Sequence, residues 1–362
     1  MKKTALSLLL LGLLSASQAL ADTVGNWASN ASTATPLRDD FSLTVLDSGE
    51  VLASTGGSHW EVYNPYSNTW RTQWLNSPLG AGGYSATLLP SGKVLFAGGV
   101  NANPDEYYED WDYRSYLYDP ATGAFTRTGN LNDRRGHHLT VLLDSGKVLA
   151  LGGYSYYGIP YITNSTELYD PETGTWSSRR DDPQFRQDHT ATLLYSGKVL
   201  VVGGYFYYGE GAPLTTASLY DPATDTWTAT ASLPQGRRNH LAVRLYSGQV
   251  MVLGGSTGGN TVDVYDPYSE QWSAGPALPI PGPYTTATLL YSGEVLITSE
   301  QGQSVLYSPE SNSWLATPGM SGPRRHGPKA VRLHTGQVLF LGGTRPGIPY
   351  DTFTADVERF TH

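Results

Sequence analysis

Five arginines recur in one register. Arg38, Arg135, Arg186, Arg237 and Arg325 each stand ten residues before a Ser/Thr-Gly pair, and Ala81 and Gly282 fill that position in two further copies. A guanidinium offers a planar fork of N–H donors, so such a set, gathered in one place, suits bidentate capture of a carboxylate, sulfate or phosphate. Beyond residue 21 the chain holds 17 arginines and 4 lysines, a bias toward that geometry. Three residues after three of these arginines come His138, His189 and His240, with His137 and His326 nearby. Imidazoles could transfer a proton beside arginine and tyrosine, or ligate a metal. Equivalent positions on successive repeats lie too far apart for one ion to reach three nitrogens at about 2.0–2.1 Å, so no metal is expected.

The second chemical signal is aromatic. Tyr107, Tyr108, Trp111, Tyr113 and Tyr116 crowd one segment, Tyr154, Tyr156, Tyr157 and Tyr161 a second, and Tyr205, Phe206, Tyr207 and Tyr208 a third. These segments read as long loops, where clustered tyrosines offer rigid contact area with a polar tip. The same rings could instead pack on each other to stiffen the loops. The acidic set Asp105, Glu106, Glu109, Asp110 and Asp112 lacks the glycine and spacing of a calcium loop and reads as a solvated charge run. No phosphate-binding glycine loop or nucleophile elbow occurs. With no cysteine in 362 residues, disulfides and thiolate chemistry are excluded.

Repeated elements must position these residues. The unit recurs as ATLLPSGKVLFAGG, TVLLDSGKVLALGG, ATLLYSGKVLVVGG and four related versions, with turn glycines at Gly49, Gly92, Gly146, Gly197, Gly248, Gly293 and Gly336. Two apolar runs around Ser/Thr-Gly read as a hairpin, because glycine accepts positive φ without a Cβ clash. Each unit then reaches a tyrosine and a turn, as in Tyr169-Asp170-Pro171, followed by Trp70, Phe125, Trp176, Trp227, Trp272 or Trp314 on a fourth strand. The last unit stops at Glu358-Arg359-Phe360 without a fourth strand, while Trp27 precedes Ser48 by 21 residues, the spacing of the other aromatics from their turns. Trp27 is therefore expected on the outer strand of the final unit, closing seven units into one domain over 22–362.

The double glycines (Gly98-Gly99, Gly152-Gly153, Gly203-Gly204, Gly254-Gly255), the Tyr-Asp-Pro turn and the later tryptophan resemble the kelch family. That resemblance implies an all-β fold, a seven-bladed β-propeller of four-stranded blades closed by an N-terminal strand. The sixth unit departs from it, with Ser299-Glu300 for the double glycine and Ser308 for the turn aspartate, so an altered loop is expected there. The resemblance also offers structural readings: the arginines as family consensus bonding to carbonyls of a neighbouring blade, and Arg-x-x-His as a bacterial form of it. Secreted members include the copper-radical galactose oxidases, whose cofactor needs a tyrosine cross-linked to cysteine, which this chain cannot supply. A six-bladed sialic-acid mutarotase is a second comparison, weakened by the count of seven.

Residues 1–21 read as a cleavable signal peptide: Lys2 and Lys3, an apolar stretch from Ala5 to Leu14, then Ala19-Leu20-Ala21. The expected location is the periplasm or the cell exterior, without a transmembrane anchor or a cofactor. A net charge of −9 argues against a nucleic-acid partner, and a monomer is expected. The leading functional reading is an exported propeller binding an acidic glycan or a peptide at the channel mouth. Arg38, Arg135, Arg186, Arg237 and Arg325, with Tyr113, Tyr156, Tyr157, Tyr207 and Tyr208, would form its site. A carbohydrate-active enzyme on acidic sugars (mutarotase, epimerase or lyase) is the main alternative, with His138, His189 or His240 moving the proton. An envelope scaffold engaging proteins through its rim is another.

Overall fold

The computed structural model describes residues 23–37, 41–54, 59–74, 78–80, 82–101, 110–156, 160–206, 211–324, 327–347 and 352–362. The expected signal peptide lies outside them. Seven antiparallel sheets of four strands follow one another along the chain. Each innermost strand touches those of two neighbours, and Lys329–Arg332 of blade seven meets Ser42–Val45 of blade one, so the ring is complete around a central channel. Short ribbons, such as Tyr154–Tyr156 with Pro160–Ile162, extend the loops between second and third strands.

Stacked blades explain the sequence pattern. The second strand of a blade is covered on both faces by neighbouring sheets, so VLFA, VLAL, VLVV and VMVL are buried at every position. An alternating strand would place polar groups against a neighbouring blade. The core accordingly lies between blades: Val141, Leu149 and Leu168 of blade three pack with Val199, Val201 and Tyr220 of blade four.

The consensus aromatics pair across the two outer strands. Tyr169 lies opposite Trp176 with ring centroids 5.2 Å apart, and Tyr220 opposite Trp227 at 5.0 Å. Each indole N–H then reaches the preceding blade, as in Trp227 Nε1 donating to the Arg180 carbonyl at 2.7 Å. Blade seven follows the same rule with residues from both ends of the chain. Asn26–Ser29 pairs with Val357–Thr361, Trp27 lies opposite Phe360 at 5.2 Å, and its Nε1 donates to Ser304 Oγ at 2.9 Å. The expected closure by the N-terminal strand is what the structure shows.

Candidate functional site

The loops leading into the innermost strands and those joining second to third strands share one end of the propeller, the loop-side mouth. Three of the five arginines expected to face it are instead buried inside their own blades. Arg135, Arg186 and Arg237 are 0–1% exposed. Arg135 donates to the Ser165 carbonyl at 3.0 Å and to Glu167 Oε1 at 2.8 Å, while Arg237 donates to the Gly254 carbonyl at 2.7 Å and pairs with Asp263. Blade four has Ser218 in place of that strand carboxylate, and the lead-in loop supplies the charge instead: Asp182 Oδ2 lies 2.9 Å from Arg186 Nε. These partners belong to the same blade, which corrects the expectation of neighbouring-blade carbonyls. Full burial also removes the three guanidiniums from direct contact with a ligand in the channel. Arg38 and Arg325 lie outside the described residues. In blade seven the buried arginine is Arg324, which donates to Glu358 Oε1 at 3.1 Å, one residue ahead of the register counted from the turn.

His138, His189 and His240 are buried too, as wedges between blades. A Cβ on Gly98, Gly152 or Gly203 would sit 3.0, 2.9 or 3.0 Å from the Cε1 of His138, His189 or His240 of the following blade. A Cβ on the second glycine would meet its own blade's lead-in carbonyl, as Gly99 does with Gly82 O at 2.7 Å. The double glycine thus lets two lead-in loops close over one hairpin. Burial, followed by the nearby Arg135 charge, pushes the His138 ring well below its usual range. Burial and the Arg186 charge take His189 down to about 3, and burial and Arg237 take His240 to about 4. Among the described residues no group of three or more His, Cys, Asp or Glu side chains could hold a metal.

What the mouth does present is the register position just before these histidines. Gly83, His137, Asp188, Asn239 and Gly327 occupy one register position, eight residues before the turn Ser/Thr, and all have φ between 51° and 69°. Left-handed backbone favours glycine, asparagine, aspartate and histidine, which is the set found. His137 N–H donates to the Gly83 carbonyl at 2.8 Å and Asn239 N–H to the Asp188 carbonyl at 3.0 Å, linking consecutive blades around the channel. Beside them, Arg238 lies 4.3 Å over the Tyr205 ring, and Arg134 lies 5.1 Å over the Tyr113 ring. The His137 and Tyr154 rings meet edge-on at 6.1 Å. Burial raises the Asp188 carboxyl above its usual range, opposed by the Arg238 charge and a hydrogen bond from Asn239. Burial also raises the Tyr154 hydroxyl, which keeps it protonated at neutral pH. Next to Asn239, a cleft of about 490 Å³ opens between Ser256, Asn260, Pro283 and Tyr284.

Of the expected tyrosines, Tyr113 is half-buried under Arg134 and Tyr156 lies on the Tyr154–Tyr156 strand. Tyr157, Tyr207 and Tyr208 fall outside the described residues. The arginine register does not mark the adjacent column, which adds Asp188 and Asn239 to His137. Its signal was present as a run of residues that tolerate positive φ.

A family model for the Kelch motif matches residues 135–181 and 189–234. This is a kelch-repeat protein. Its matches to curated relatives are partial: 27% identity over 164 residues with "Kelch-like protein terF" of Aspergillus terreus, covering 41% of this chain and 35% of that one. Beta-scruin of Limulus polyphemus is 28% identical over 169 residues, covering 45% of this chain and 18% of scruin. The kelch propeller therefore spans about a third or less of these relatives. Among solved structures, a fungal alcohol oxidase of the AA5 family in complex with copper superposes with a TM-score of 0.72 at 15% identity, over 94% of this chain and 76% of that one. That likeness concerns the fold. A cofactor built on a tyrosine–cysteine cross-link does not fit a chain without cysteine.

Proposed function

We propose that this kelch propeller is an exported binding protein that takes an acidic group of a glycan or peptide at its loop-side mouth. The observation that carries the reading is Arg238, stacked on Tyr205 beside the left-handed column of His137, Asp188 and Asn239. The cationic role passes from the buried arginines to the sequence neighbour of Arg237, Arg238, held flat by the Tyr205 ring. Cation–π stacking fixes a guanidinium while leaving its edge donors available. Tyr154, Tyr205 and the cleft at Tyr284 supply the adjoining wall. Export rests on the charged, apolar and small-residue succession of residues 1–21.

The test is titration of oligogalacturonate and of an acidic peptide against the mature chain. Arg238→Ala should weaken the bound anion about ten-fold, as expected for a charge-assisted hydrogen bond of roughly 1.5–3 kcal/mol, with melting temperature unchanged. Arg135→Ala should instead lower the melting temperature, since it leaves the buried Glu167 carboxylate without its cation. Unchanged affinity in Arg238→Ala would place the site elsewhere. A second reading, acid–base chemistry on an acidic sugar, draws on the raised Asp188 carboxyl near His137. Unsaturated product or anomeric exchange that disappears in Asp188→Asn would favour it.

A further inference from the structure

At the opposite end of the channel, the residue before each turn Ser/Thr forms a second ring: Asp47, Pro90, Asp144, Tyr195, Tyr246, Tyr291 and His334. Each leans over the turn glycine of the next blade. A Cβ on Gly248 would lie 3.1 Å from Tyr195 Cδ2, one on Gly293 3.6 Å from Tyr246 Cδ2, and one on Gly336 3.5 Å from Tyr291 Cδ2. Three tyrosines therefore stand side by side on blades four, five and six, and they are 56%, 50% and 55% exposed. Aromatic surface at three adjacent equivalent positions makes a continuous arc, which scattered surface residues do not.

Cations hold the arc from beneath. Arg244 lies 4.2 Å from the Tyr195 centroid and donates to the Leu193 carbonyl. Arg332 lies 4.0 Å from the Tyr291 centroid and donates to the Leu289 carbonyl at 2.7 Å and to Tyr246 Oη at 3.1 Å. The rings are thus preorganised, and half of each remains in water. Between blades five and six, Tyr246 borders a cleft of about 220 Å³ lined also by Ser247, Ser292, Glu294, Ser308 and Glu310.

This set of groups selects a ligand class. Ring faces take the C–H face of a sugar, carboxylates accept from its hydroxyls, and protein hydroxyls both accept and donate. Both arginines are already engaged with carbonyls and rings, whereas Glu294 and Glu310 in the cleft and Asp47 and Asp144 on the ring are acidic. An anionic chain is disfavoured there. We infer that the turn-side mouth is a second binding site, for a neutral oligosaccharide laid across Tyr195, Tyr246 and Tyr291 with a hydroxyl-bearing unit in the Glu294–Glu310 cleft.

Calorimetric titration of the mature chain with cellohexaose, maltohexaose and chitohexaose tests this. At least one should bind with a submillimolar Kd. Tyr246→Ala should weaken it about ten-fold, as for truncation of an aromatic anchor, and Glu310→Gln should weaken it less. Both side chains are exposed, so melting temperatures should not move, and Arg238→Ala at the other mouth should leave this binding intact. The inference is overturned if none of the three binds, or if Tyr195→Ala and Tyr246→Ala both leave affinity unchanged. Hexagalacturonate or hexalysine binding in place of the neutral sugars, lost in Tyr246→Ala, would also overturn it.

Discussion

At the scale of single residues, His189 shows how this fold uses an ionisable ring without titrating it. Its imidazole fills the space above Gly152, beside the Arg186 charge, and its folded pKa falls to about 3, with His240 at about 4. Unfolded histidines take up a proton near pH 6.5. Below that value the unfolded chain binds protons that the folded chain refuses. Stability contributed by these rings is therefore complete above about pH 6.5 and falls on acidification until the folded pKa is reached. Each ring should contribute a slope of about 1.4 kcal/mol per pH unit within that window. Urea unfolding of the wild type and His189→Gln at pH 7, 6 and 5 should show the variant losing less stability on acidification. Parallel losses would mean that His189 is protonated in the folded protein. The same environment argues against catalysis, because a ring that stays neutral and buried cannot exchange a proton with a substrate in the channel.

At the scale of the element, a double glycine ends the second strand of blades two to five and of blade seven. Gly98 has φ of 66°, and its missing Cβ leaves room for the Arg135 carbonyl, which a methyl would approach to 2.3 Å. The Gly99 N–H donates to that same carbonyl at 2.9 Å. One dipeptide therefore both turns the chain and fastens the next blade. Gly98→Ala should cost more than the left-handed penalty of roughly 1–2 kcal/mol, because the clashing atom is backbone and blade three must shift. Gly123→Ala is the control: φ is 70° there, but the nearest atom, Gln73 Nε2, stands 3.6 Å away. Equal melting-temperature losses in the two variants would show that only backbone conformation matters. Blade six dispenses with the device. There Ser299 N–H donates to the Gln303 carbonyl at 2.9 Å, Glu300 N–H to Pro283 and Arg324 N–H to Glu300, a tighter turn that makes the link to blade seven through different atoms.

For the whole molecule, the joint in blade seven decides whether the ring holds. Four residues of the N-terminal strand pair with the last strand, and Trp27 packs against both Phe360 and Phe340 while bonding to blade six. Deleting residues 22–32 would uncover a strand edge and empty an aromatic site. Loss of a fully buried aromatic typically costs ~3–5 kcal/mol; Trp27 is half-buried, so its own share is smaller and the lost strand pairing adds to it. The truncated chain should melt well below the intact mature form by calorimetry, and a midpoint within a degree or two would refute a stabilising joint. A closed ring also leaves two channel mouths of different character. Loops with Arg238 and Tyr205 border one, and the tyrosine arc with Arg244 and Arg332 borders the other.

The sequence by itself determined the repeat, the count of seven blades, the four strands in each and the closure by Trp27. These follow from local turn chemistry and from spacing, which a chain carries independently of its neighbours. It also put Tyr169 and Trp176 on successive strands across a turn, while their ring pairing came from the structure. Only the tertiary structure decided which way a side chain in the lead-in loop faces. Arg237 and Arg238 are adjacent, yet one is buried on Asp263 and the other stacks on Tyr205 near the channel. Likewise Arg324, one residue ahead of the register counted from the turn, takes the buried place in blade seven. The reason is that an irregular loop has no period: its residues turn toward whatever carboxylates, carbonyls and rings the neighbouring strands bring within reach, and those neighbours are assembled from distant parts of the chain.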